Sequence, residues 1–63
     1  MTSAELSRIL GKTGTLTTQD GFVLRVVIQD GRTAYGREDL LVTDTAGLSE
    51  PRWVSAERVK LDG

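Results

Sequence analysis

Residues 22–29 read Phe-Val-Leu-Arg-Val-Val-Ile-Gln, set between Asp20-Gly21 and Asp30-Gly31. Phenylalanine, valine and isoleucine suit a pleated, half-buried surface. Alternation puts Phe22, Leu24, Val26 and Ile28 on one face, and Val23, Arg25, Val27 and Gln29 on the other. The second face is itself partly apolar. That predicts a long, bent strand covered in part by another element or by a partner. Asp20-Gly21 has the chemistry of a tight hairpin, because glycine takes the left-handed backbone without steric cost. The decisive stretch therefore makes the chain mainly β.

Upstream, Thr15-Leu16-Thr17-Thr18 is rich in β-branched residues and predicts the strand that pairs with it. Before that, Thr2-Ser3-Ala4-Glu5 has the form of a capping box. Leu6, Ile9 and Leu10 follow at helical spacing, and Gly11 can end the segment. The pattern predicts a helix from Ser3 to Leu10. A helix so short is marginal alone, so its apolar residues must dock on the sheet.

Downstream, Asp30-Gly31 predicts the start of a connection and Gly36 its end, with Arg32-Thr33-Ala34-Tyr35 between them as a loop. Leu40-Leu41-Val42-Thr43 predicts the third strand. Asp44 to Pro51 reads as a loop, and Trp53-Val54 resumes a strand. Ser55-Ala56-Glu57-Arg58 suits a single 3₁₀ turn, and Val59-Lys60-Leu61 closes the chain with strand alternation.

The length, 63 residues, leaves room for one domain: a helical segment over 1–11 and a β-barrel over 12–61. Closing a sheet of five short strands removes its exposed edges. Small domains have thin stability margins. There is no cysteine for a disulfide and no histidine for the usual zinc sites, so neither metal nor cofactor is expected. Eight basic and nine acidic residues give a net charge of −1, which supplies no general field for phosphates but leaves room for a local basic patch. No apolar run is long enough to span a bilayer, and residues 1–5 lack the pattern of a secretory signal. The expected location is the cytoplasm.

Trp53 to Leu61, a strand running into a 3₁₀ turn and a short closing strand, resembles the C-terminal part of SH3-like barrels. Gly11-Lys12-Thr13-Gly14-Thr15-Leu16 resembles the glycine-spaced turn and strand of KOW-type modules, which share that architecture. The resemblance covers about residues 12–61 and implies a small five-stranded SH3-like barrel. Proline-peptide recognition by SH3 domains uses a row of aromatic rings. One Phe, one Tyr and one Trp cannot build it, nor a methyl-lysine cage.

Gly11-Lys12-Thr13 also resembles the end of a P-loop, but Leu6 stands where another glycine is needed, and a strand follows instead of a helix. Glu38 and Asp39 are adjacent on a strand and point to opposite faces, so they do not form a shared acid–base pair. Asp20, Asp30 and Asp44 sit beside turns, where such side chains bond local backbone. A serine nucleophile lacks its histidine. The chain is not expected to be an enzyme.

The most suggestive segment is Arg32-Thr33-Ala34-Tyr35-Gly36-Arg37. Two guanidinium groups flank a ring, and both residue types are favoured at interfaces. Arg52 and Trp53 join them if the third and fourth strands pair. Arg32, Tyr35, Arg37 and Arg52 are thus the candidate binding residues. Three readings stay open: a solvated loop whose Tyr35 covers the barrel rim, a surface for another protein or a second copy, and a nucleic-acid site of KOW type. The expected function is protein interaction or self-association, with nucleic-acid binding as the alternative. Trp53, the largest apolar group, is expected in the core or half-buried there, and its truncation to alanine to unfold the domain.

Overall fold

The computed structural model describes residues 2–47 and 49–62. A short helix, α1 (Ser3–Ile9), precedes strands β1 (Thr13–Thr17), β2 (Val23–Ala34), β3 (Arg37–Asp44) and β4 (Arg52–Ser55). A 3₁₀ turn (Ala56–Arg58) then leads into β5 (Val59–Leu61). All strand pairs are antiparallel, in one sheet of order β4-β3-β2-β1-β5. The mainly β character, the five strands, the N-terminal helix and the 3₁₀ turn before the last strand are those expected from the sequence. Among the described residues no helix is long and apolar enough to cross a membrane.

The expected closure is absent. β4 pairs only with β3 and β5 only with β1, so they form the two ends of the sheet. Yet only the three residues of the 3₁₀ turn lie between them in sequence, and three such residues advance the chain only about 6 Å. The sheet must therefore roll until its ends lie close, without a ladder joining them. Strands of four and three residues, separated by a turn that redirects the chain, do not run alongside each other to pair.

Long-range curvature comes from β2. Its register with β3 shifts between Ile28 and Asp30: Ile28 faces Val42, Asp30 faces Leu41, and Gln29 is the extra residue. Such a bulge bends and twists its strand. It also reverses the alternation. Up to Ile28 the even-numbered residues face inward; beyond it Gly31 and Thr33 share the inner face with Leu40 and Glu38, and Asp30 and Arg32 turn outward beside Leu41 and Asp39. Asp30-Gly31 and residues 32–34 therefore lie within a strand, correcting the expected connection there; of it only Tyr35 and Gly36 stand between strands. Asp30 still bonds local backbone, its Oδ1 accepting from Gly31 N at 2.8 Å.

The core is Leu16, Val26, Ile28, Leu40 and Val42, all on the inner face, with Ile9, Val54, Ala56 and Val59 packed against it. Thr2 caps α1, its Oγ1 accepting from Glu5 N at 3.1 Å. Of the three helical apolar residues Ile9 reaches the core, while Leu10 stays 43% exposed. Gly11 N donates to the Ile28 carbonyl and Ile28 N to the Lys12 carbonyl, fixing the helix exit on β2. Phe22, assigned by alternation to the buried face, is 67% exposed because it sits at the hairpin mouth beyond the core. The Asp20-Gly21 turn forms as expected: Gly21 has φ +86°, and Thr18 N donates to the Phe22 carbonyl.

Candidate functional site

The β2–β3 hairpin closes in two residues, Tyr35 and Gly36, between the paired Ala34 and Arg37. Both have positive φ, +53° and +75°. Two-residue hairpins need this geometry because its twist matches that of the flanking strands. Asparagine, aspartate or glycine usually fills the first position. A tyrosine there is strained by contact between its Cβ and the backbone. Its ring gains no burial in return, being 100% exposed. Tyr35 therefore does not cover a rim.

Behind the tip, the reversed alternation of β2 places Arg32 outward. Its Nε donates to Asp39 Oδ2 at 3.3 Å, and its guanidinium carbon lies 4.2 Å from the centroid of the Trp53 ring. Asp39 is 8% exposed, the buried polar residue of the described chain. A carboxylate so far removed from water needs its cation, and Arg32 supplies it while stacking on indole. Trp53 faces Leu41 across the ladder, on the side of the sheet opposite Ile28 and Val42, and is 37% exposed. It is thus not the centre of the core; Val54, its neighbour, is the β4 residue that turns inward.

β3 outruns β4. Asp39 is the last β3 residue with a β4 partner, Ser55, after which the chain turns into the 3₁₀ segment. An open groove of about 1020 Å³ occupies this region. One side is the hairpin arm, from Arg32 to Asp39; another is β4 with the 3₁₀ turn; Leu16, Thr18 and Gln19 of the β1 side complete it. The groove therefore lies where the hairpin arm, β4 and the 3₁₀ turn meet the end of β1, and no β5 residue lines it.

Four arginines line it: Arg32, Arg37, Arg52 and Arg58. Pairing of β3 with β4 brings Arg52 and Trp53 beside the hairpin, as the sequence suggested conditionally. Three of the four expected residues, Arg32, Arg37 and Arg52, share the groove, and Tyr35 stands at the tip of its arm. Arg58 was not singled out by sequence. Its only signal is its place at the end of the 3₁₀ turn, and nothing local shows that this turn faces the hairpin arm.

Glu38 and Asp39 lie on opposite faces, as alternation requires. Among the described residues no cluster of three or more acidic, histidine or cysteine side chains is arranged to hold a metal. No family model, curated protein or solved structure matches the chain.

Proposed function

We propose that the chain is a small protein-interaction module whose docking surface is the arginine-lined groove and the Tyr35 hairpin tip. The observation that carries this reading is Tyr35 itself. A strained backbone at a position where asparagine or glycine is cheaper, holding a fully exposed ring, argues that the ring is kept for contact. Arginine and tyrosine are the residue types that anchor interfaces. The meander of strands and the 3₁₀ turn before β5 support placing the fold near SH3-like barrels, and a cytoplasmic setting fits the same reading.

The test is a photo-crosslinking residue in place of Tyr35, used in cells that express the full chain. A discrete protein adduct that disappears when Arg37 and Arg52 are changed to glutamate is the expected result. Adducts to nucleic acid, or none, would overturn the reading. Sedimentation of the purified chain shows whether the adduct is a second copy.

Nucleic-acid binding draws support from the same arginines. It is the weaker reading because Arg32 already occupies a face of Trp53, so the groove offers no run of free rings on which bases stack. The net charge of −1 adds no general attraction.

A further inference from the structure

We propose that the partner enters the groove as an extended, acidic segment of another protein, laid along β4 with its carboxylates on Arg37, Arg52 and Arg58. This rests on the reading of the groove as a protein-docking surface. The first argument is charge. Arg32 and Asp39 neutralise each other, and Glu38 is engaged within the molecule. Of the remaining charged groups that line the groove, Arg37, Arg52 and Arg58 make no ion pair among the described residues, and Glu57 is the one carboxylate set against them. A chain of net charge −1 thus concentrates unpaired positive charge in one place, which favours an oppositely charged occupant and repels a basic one.

The second argument is the backbone. β4 is an end strand with no partner on its far side among the described residues. Its four residues, Arg52 to Ser55, all line the groove. An extended segment can add main-chain hydrogen bonds to such an edge. Arg52 on the edge discourages indiscriminate pairing with apolar strands, and a carboxylate opposite it lifts that obstacle. The third argument excludes the aromatic alternative. The Trp53 face beneath Arg32 is already filled, so an occupant gains more from the guanidinium groups than from stacking.

The experiment uses three short fluorescein-labelled peptides built of Glu and Val, Lys and Val, or Ser and Val, with the polar residues in adjacent pairs so that both faces of the extended segment carry them, and an oligothymidylate of similar length. Anisotropy with the full chain is expected to show binding of the Glu-Val peptide alone, weakening as salt rises. The triple variant Arg37→Gln/Arg52→Gln/Arg58→Gln, checked for its fold by circular dichroism, should raise the Kd about tenfold. Glu57→Gln, which removes the opposing carboxylate, should lower it. Equal binding of all three peptides, with Tyr35 still crosslinking a protein, overturns the acidic occupant and leaves the docking surface standing. Binding of the oligothymidylate alone, with no protein crosslink, overturns both.

Discussion

Ile28 and Trp53 show at the residue scale how burial, rather than size, sets what a side chain contributes. Ile28 is 1% exposed and Trp53 37%. Truncating a buried isoleucine costs about 2–5 kcal/mol, comparable to the whole margin of about 3–5 kcal/mol in a domain of this size. Ile28→Ala is therefore expected to be unfolded at 25 °C. Trp53→Ala loses a partly exposed ring and its contact with Arg32, about 1–2 kcal/mol, and is expected to melt earlier but remain folded. Thermal melts of the two variants check both; the opposite order would move Trp53 back into the core. Tyr35→Asn should gain stability, about 0.5–1 kcal/mol, by relieving the left-handed strain, while losing partner contact. The sequence made Tyr35 conspicuous by its arginine neighbours but could not show its backbone, because tyrosine before glycine is not the usual signature of a two-residue hairpin.

β5 is the element whose hold is most conditional. It has three residues, and at Gly14 its backbone presses on β1: a Cβ placed there would meet the Lys60 carbonyl oxygen at 2.8 Å. Gly14→Ala should force the strands apart at a cost of about 1–3 kcal/mol, with faster amide exchange at Leu61. Just beyond β5, the Asp62 carboxylate accepts from Nη1 and Nη2 of Arg25 and from Thr13 Oγ1, the last at 2.7 Å. The hydrogen bonds from Arg25, then that from Thr13, hold the Asp62 carboxyl at about 2, below its ordinary 3.8. A carboxyl depressed on folding contributes stability that is present above its unfolded value and lost as pH falls through the folded one. The clasp should therefore weaken between about pH 4 and pH 2, and Asp62→Asn should remove that part of the acid dependence from the melting curve. An unchanged acid limb would show that the clasp adds nothing. Such long-range pairs are invisible to sequence, since Arg25 and Asp62 are 37 residues apart. By contrast the existence of each strand and the Asp20-Gly21 turn follow from local chemistry. The β2 bulge escaped because Asp30-Gly31, a turn signal by composition, was absorbed into a strand by its pairing with Leu41 and Leu40.

For the whole molecule, one extra residue in β2 links fold to site. The bulge at Gln29 bends the longest strand, turns Arg32 outward onto Asp39 and Trp53, and leaves the ends of the sheet near each other but unpaired. The groove that results is a property of topology. Arg37, Arg52 and Arg58 come from three elements, and only the rolled sheet gathers them. Composition indicated that a local basic patch was permissible within a chain of net charge −1; it could not place one. The most direct test is the pattern of cross-strand nuclear Overhauser contacts in the isotope-labelled chain. The account predicts contacts between Leu16 and Val59 and between Leu41 and Trp53, with none forming a ladder between β4 and β5. A β4–β5 ladder, or a Trp53 ring in contact with Ile28 and Val42, would contradict it.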